Sequence, residues 1–256
     1  MKNIVIITGA NGGFGKELTM LLAKEEGIDE IWAIARNSSR LEALRDELGE
    51  KIVPISMDMS DRKSFDSLEE RLRSEPVCIK YLVNNAGFAK FGDSQAVGVE
   101  ESLNMIDLNI GAVVALCLKS IPFMDKGSRI MNISSLSSYF PLPYLNVYAS
   151  SKVFVRSFTR SLNVELKDKG ITATAVCPGW MTTNLYDRAH TGAKNEVKCF
   201  FGMKRPEDVA KKALRDTKKG KDMSSYGLYV KLIHLLSKSL PQRLMMKFWK
   251  IQQGIK

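Results

Sequence analysis

The sequence predicts an α/β fold in which helices cover both faces of a doubly wound parallel sheet. Three observations carry this expectation. Short apolar runs are continuous rather than alternating, as in strands buried on both faces. Each run is followed by a stretch of helical periodicity, and a glycine-rich turn joins the first strand to the first helix. Ile4–Ile7 reads as the first strand, and Lys16–Glu26, with Leu18, Leu21 and Leu22 at helical spacing, as the first helix. Ile31–Ala35 is the second strand, and Ser39–Leu48, striped by Leu41, Leu44 and Leu48, the second helix. Ile52–Ile55, Tyr81–Val83, Ser128–Ile133 and Thr172–Val176 supply strands three to six, with helices clearest at 63–73, 100–120 and 148–168. Alternation of this kind implies right-handed crossovers within one sheet.

At 256 residues, 45% hydrophobic and 26% charged, the chain suits one domain with a sizeable core. No uninterrupted apolar run reaches the ~18 residues of a membrane span. The run Ile4–Thr8 after Met1-Lys2 is too short for a signal peptide. Cys78, Cys117, Cys177 and Cys199 are widely spaced and form no C-x-x-C pair, so neither a metal site nor a disulfide framework is expected. A reducing, cytoplasmic setting is the simpler expectation. The net charge of +10 is localised: residues 198–256 hold 15 Lys/Arg against 4 Asp/Glu, the remainder 23 against 24. Lacking stacking aromatics or a recognition motif, this basic end does not indicate a nucleic-acid partner.

The first turn reads Thr8-Gly9-Ala10-Asn11-Gly12-Gly13-Phe14-Gly15. Glycines allow a tight turn and let a diphosphate approach the backbone, and the following helix offers free N–H groups and a positive end. The spacing is G-x-x-x-G-x-G, and its place between a buried strand and a helix favours a dinucleotide over a plain turn. Near the end of the second strand, where an acid would hold the ribose 2′-OH of NAD, stands Arg36. An always-charged fork suits a 2′-phosphate, so NADP(H) is expected ahead of NAD(H). Asp58, after the third strand, is placed to accept from an adenine amino group; helix capping is its competing role, though Ser60 and Asp61 are better placed for that.

The sharpest candidate for chemistry is Tyr148-Ala149-Ser150-Ser151-Lys152. On a helix the phenol and ammonium share a face. A close cation would favour the phenolate, suiting Tyr148 to exchange a proton with a carbonyl or alcohol oxygen. Strand five ends in Asn132-Ile133-Ser134-Ser135, at the strand edge where open sheets bind ligands, and strand four ends in Asn84-Asn85-Ala86-Gly87.

Together, Thr8-Gly9-x-x-x-Gly13-x-Gly15, Asn84-Asn85-Ala86-Gly87, Ser135 thirteen residues before Tyr148-x-x-x-Lys152, and Pro178-Gly179 after strand six resemble the short-chain dehydrogenase/reductase family across roughly residues 3–185. The resemblance implies a Rossmann-type sheet of about seven strands in three layers, and hydride transfer between a nicotinamide and a carbonyl carbon. It implies Tyr148 as general acid/base, Lys152 as holder of the nicotinamide ribose, and Ser135 as orienter of the substrate oxygen. Asn109 would support a relay water, with a satisfied helix amide as the alternative. The implied cofactor-binding positions are Gly9, Asn11, Gly13, Phe14, Gly15, Arg36, Asp58, Met59, Asn85, Ala86, Gly87, Tyr148, Lys152, Pro178, Gly179 and Thr183. Gly12 stands where NADP-binding relatives often carry a basic residue, so Arg36 carries that expectation.

The substrate loop should run over about 180–206, with Trp180, Met181, Leu185, Tyr186, Phe200, Phe201 and Met203 lining a pocket for a steroid- or lipid-like alcohol or ketone or else packing the loop itself. Residues 226–256 form a basic amphipathic extension, its leucines at helical spacing and broken at Pro241. Packing on its own domain, covering the active-site mouth, binding a partner subunit and peripheral membrane contact are its alternative roles. Leu116, Val155, Phe158 and Leu162 on the helices at 100–120 and 148–168 suggest a homodimer or homotetramer, with burial against the sheet as the competing explanation. A non-catalytic NADP-binding regulator and a membrane-associated scaffold are the alternatives to the enzyme.

Overall fold

The computed structural model describes residues 1–183 and 185–255, the side chain of Asp187 apart. Seven parallel strands run β1 (Lys2–Thr8), β2 (Glu30–Ala35), β3 (Ile52–Ser56), β4 (Val77–Asn84), β5 (Arg129–Ile133), β6 (Thr172–Val176) and β7 (Met223–Ser224). Their spatial order is β3-β2-β1-β4-β5-β6-β7. The six strands read from the sequence pattern are present, and β7, two residues paired with Ala175 and Val176, completes the seven that the family resemblance implies. The order reverses between β1 and β4, and the crevice beyond the carboxyl ends of those strands is where such sheets bind ligands.

Eleven α-helices are described: α1 (Gly13–Ala23), α2 (Ser38–Leu48), α3 (Ser64–Ser74), α4 (Ser94–Val97), α5 (Val99–Ile106), α6 (Ala112–Ser120), α7 (Asn146–Glu165), α8 (Leu185–Ala189), α9 (Pro206–Lys218), α10 (Leu228–Ser239) and α11 (Gln242–Gln253). On one face of the sheet Ile4, Ile6, Trp32, Leu82 and Ile130 meet Phe65, Leu72, Leu116, Val155 and Leu162. On the other, Val5, Ile7, Ala33, Val83 and Met131 meet Leu18, Leu22, Leu41, Val209 and Ala213. Ile4 to Ile7 are wholly buried, which is why that strand reads as a continuous apolar run.

Two sequence expectations change. α1 begins at Gly13, not Lys16, because glycine and not a polar side chain stands at its cap. Leu116, Val155 and Leu162 are buried against the sheet and are not free for a partner, whereas Leu103, Ile106, Val153 and Phe154 are exposed on the same helices. α5 and α6 are joined through a π-helical turn, Asp107–Gly111, into a helix running from Val99 to Phe123. Its length and composition alone would allow it to cross a membrane, but one side of it, with Met105, Asn109, Ala112, Leu116 and Cys117, is buried within the fold.

A third apolar cluster lies past the strand ends. Phe91, Tyr139, Phe140, Leu142, Leu145 and Cys177 pack there with Val230, Met245 and Trp249 of the C-terminal helices. α11 is fixed by Trp249 Nε1, which donates to Pro143 O at 3.0 Å. Gln253 Oε1 accepts from the backbone N–H groups of Lys198 and Cys199, both at 2.9 Å.

Candidate active site

The end of β1 and the start of α1 form a cradle. Gly9 adopts φ +63°, and a Cβ there would lie 2.9 Å from Asn85 Nδ2. A Cβ on Gly15 would stand 2.0 Å from Gly9 O, so the first turn of α1 rests directly on the strand end. The position above Gly13 is closed by Thr183, whose Cβ would be 3.2 Å from an added methyl. Gly12 caps α1 without a side chain, and no acid stands in the first turn. The unpaired N–H groups and positive helix end at this edge suit an anion.

The β4 edge is bolted to this turn. Thr8 Oγ1 accepts from Asn85 N at 3.0 Å and Ala86 N at 2.9 Å, while Asn85 Nδ2 donates to Thr8 O and Gly9 O at 3.1 and 3.2 Å. The Asn85 amide thus holds the cradle's shape. At the far end, Arg36 and Arg40 line the same wall as Asp58, Met59 and Ser60. Arg40 was not foreseen; it is four residues past Arg36, and its backbone N–H donates to the capping Asn37 Oδ1 at 2.8 Å. Asp58 Oδ1 accepts from Ser60 N at 2.9 Å and Ser60 Oγ at 2.7 Å. Those hydrogen bonds, with the nearby Arg36 cation, hold its carboxyl below the ordinary carboxylate value. Asp58 therefore stabilises its own turn, and its Oδ2 is not used there.

Ser135, Tyr148 and Lys152 meet on the opposite wall. Lys152 Nζ donates to Ile133 O at 2.9 Å and lies 5.6 Å from the Tyr148 ring centroid. Burial lowers the ammonium to about 8. Burial also pushes the Tyr148 phenol well up, against a smaller lowering by its hydrogen bond with Ser135. The expected depression of the phenol by its neighbouring cation is not found: burial dominates, and the Lys152 ammonium is turned toward a backbone carbonyl.

Asn109 sits behind this wall. Its Nδ2 donates to Phe88 O at 3.0 Å and Ser151 Oγ at 3.1 Å, and its Oδ1 accepts from Phe88 N at 3.1 Å. The side chain is a satisfied buried amide that fixes the Gly87–Phe88 backbone. Ser134 Oγ donates to Lys152 O at 2.7 Å, tying β5 to α7.

One cleft of about 950 Å³ joins these groups. Gly9, Asn11, Gly13, Phe14, Arg36, Asp58, Met59, Asn85, Ala86, Gly87, Ser135, Tyr148, Lys152, Pro178, Gly179 and Thr183 all line it; Gly15 and Asn109 stand behind it.

Residues 3–194 match the family model for short chain dehydrogenase. The chain belongs to that family. It is 32% identical over 179 residues to the NADP-dependent 3-hydroxy acid dehydrogenase YdfG of Salmonella typhi, covering 69% of this chain and 71% of that protein. It is 33% identical over 203 residues to the serine 3-dehydrogenase of Agrobacterium fabrum, covering 77% and 79%. Among solved structures, a short-chain dehydrogenase from Sphingobium yanoikuyae in complex with NADPH is 27% identical, with 95% of each chain covered and a TM-score of 0.79.

In this short-chain dehydrogenase the far end of the cleft is a chamber of apolar side chains. Phe88, Phe91, Leu136, Phe140, Trp180 and Tyr186 line it from the body. Ile233 and Leu236 of α10 and Met245, Phe248 and Trp249 of α11 close it from above. Of the loop residues foreseen as lining, Trp180, Met181, Leu185 and Tyr186 do so, whereas Phe200, Phe201 and Met203 do not. Phe200 packs on Trp180, with ring centroids 5.0 Å apart, and on Tyr186 at 4.9 Å, while Phe201 and Met203 face solvent. The loop is pinned by Glu196, which accepts from Ala193 N at 3.1 Å and Thr191 Oγ1 at 2.8 Å and pairs with His190.

Proposed function

We propose that this oxidoreductase uses NADP(H) to interconvert a carbonyl and a secondary alcohol on a bulky, largely apolar substrate, with Tyr148 as the catalytic acid and base. One observation carries the reading: Ser135, Tyr148 and Lys152 converge on a cleft that runs without interruption from the glycine cradle to the aromatic chamber. The cradle left free at Gly9 and Gly15 fits a dinucleotide diphosphate, and Arg36 and Arg40 fit a 2′-phosphate. When bound, the cofactor supplies or receives the hydride at its nicotinamide ring.

The protein's own groups handle the proton. The Tyr148 phenol, held protonated by burial, donates to the substrate oxygen as negative charge develops there, and the reverse reaction returns the proton. The Ser135 hydroxyl, which lines the cleft with Tyr148, orients that oxygen. Lys152, fixed by Ile133 O, places a cation beside the phenol once the site is closed to water. Asn109 positions the backbone at Gly87 and Phe88 and does not touch the reacting atoms.

The apolar substrate class rests on the chamber lining. The family match ends at residue 194, so the roof formed by α10 and α11 lies outside it. A small hydroxy acid is the competing reading, favoured by Arg188, whose guanidinium lines the cleft 4.2 Å from the Phe88 ring centroid. NADPH consumption over a panel of hydrophobic ketones and small oxo acids separates the two. Turnover confined to the hydrophobic ketones supports the proposal, and turnover confined to the small acids overturns the apolar substrate. Exposed Leu103, Ile106, Val153 and Phe154 support a homo-oligomer through α5 and α7. The four free thiols fit a reducing, cytoplasmic setting, and the basic C-terminal helices fit peripheral membrane contact.

A further inference from the structure

The two C-terminal helices face the cavity on one side and solvent on the other, and the solvent side is apolar. α11 divides into three stripes at helical spacing. Met245, Trp249 and Gln252 turn toward the cavity. Leu244, Phe248 and Ile251 form the next stripe, with Phe248 and Ile251 53% and 65% exposed. Arg243, Lys247 and Lys250 form the third, alongside the exposed apolar one. α10 repeats the plan: Tyr229, Ile233 and Leu236 turn inward, Leu228, Leu232 and Leu235 face water, and Lys231 and Lys238 flank them.

Residues 226–256 hold six Lys/Arg and no Asp or Glu. Apolar stripes flanked by charge of one sign on two successive helices are an interaction surface and not scattered exposure. A second cleft of about 490 Å³ lies against α11, lined by the cations Arg243, Lys247 and Lys250 together with the apolar Met246, Ile251 and Ile255. Phe248 belongs both to the exposed stripe and to the lining of the large cavity, so the exposed face borders that cavity's rim.

We infer that α10 and α11 dock this enzyme on an anionic phospholipid bilayer, with the apolar stripe sunk among the headgroups and the cations against lipid phosphates. The charge selects this occupant. A second copy of the same face would set like charges against like charges, whereas an anionic bilayer answers both the cations and the leucines. The large cavity then takes its substrate from the lipid surface; that delivery step rests on the apolar-substrate reading, the docking itself does not.

Co-sedimentation of the full chain with phosphatidylcholine vesicles, with and without phosphatidylglycerol, tests the docking. The wild type should bind the phosphatidylglycerol vesicles at low salt and leave them at high salt. Arg243→Glu/Lys247→Glu/Lys250→Glu should weaken that binding by about 100-fold or more, since each cation at such a surface contributes roughly fivefold. Leu232→Ser/Leu235→Ser should weaken it by about tenfold or more. Both variants should turn over a water-soluble ketone as the wild type does, which shows that they are folded. A wild type that ignores anionic vesicles, or a charge-reversed variant that binds as well as the wild type, overturns the docking. So does a Leu232→Ser/Leu235→Ser variant that converts a dimer to a monomer with no vesicle binding in either form. Vesicle binding without turnover of any ketone by the wild type strikes the catalytic reading and not the surface.

Discussion

Replacing Lys152 by Met should make the ligand-free protein more stable while removing its activity. Lys152 is 4% exposed, and its ammonium has been carried into the interior beside a phenol. Burial lowers it from the ordinary 10.5 to about 8, and at about 1.4 kcal/mol per tenfold this amounts to ~3 kcal/mol that folding spends to hold the cation. Met keeps the length and the apolar contacts but gives up the hydrogen bond to Ile133 O, a loss of about 1 kcal/mol. The net gain is then about 2 kcal/mol, or roughly 4–8 °C in Tm for a chain of this size. The sign with pH follows from the lowered value. Between about 8 and 10.5 the unfolded chain binds the proton that the folded chain has released, so wild-type stability rises with pH through that window. The advantage of Lys152→Met is complete below about pH 8 and fades by 10.5. Urea unfolding of both proteins at pH 7, 9 and 10.5 reads this directly. A variant less stable than wild type at pH 7, or a difference that ignores pH, would refute the argument that this cation is held against its own solvation.

Three further outcomes follow from the same geometry. Gly15→Ala puts a methyl 2.0 Å from Gly9 O, so the cradle must open; NADPH binding measured by fluorescence should be lost even if the protein still folds. Arg36→Ala should weaken NADPH binding by roughly 10- to 100-fold, the worth of charge-assisted hydrogen bonds, and leave NADH binding unchanged; equal losses for both would remove Arg36 from the 2′-phosphate. Glu196 is drawn to about 2 by its bonds to His190 and Thr191, which outweigh its burial. Its contribution is therefore present above pH 4.5 and lost as pH falls toward 2, and the protection of the amides at residues 190–197, their exchange measured against the intrinsic rate at each pH, should fall over that interval.

What could be read from the sequence was local. Ile4–Ile7 and Thr172–Val176 declare themselves as buried strands because both their faces are covered, and Tyr148 and Lys152 share a helix face whatever surrounds them. The glycine cradle was legible for the same reason, its chemistry lying within eight consecutive residues. β7 was not, because two residues carry no periodicity and owe their pairing to Ala175 and Val176. The chamber roof was equally hidden. Trp249 reaches the cavity only because its indole is held by Pro143 O and its helix by Gln253, contacts between residues far apart in the chain. Leu116, Val155 and Leu162 looked like an interface since periodicity marks an apolar face without saying whether the sheet or a partner covers it.

The account stands on the phenol of Tyr148 as the group that exchanges a proton with the substrate oxygen, and Tyr148→Phe removes that hydroxyl while keeping the ring. With any ketone that the wild type reduces, the variant should bind NADPH with wild-type affinity and show kcat lower by roughly 10²–10⁴-fold. Wild-type turnover by Tyr148→Phe would contradict it outright.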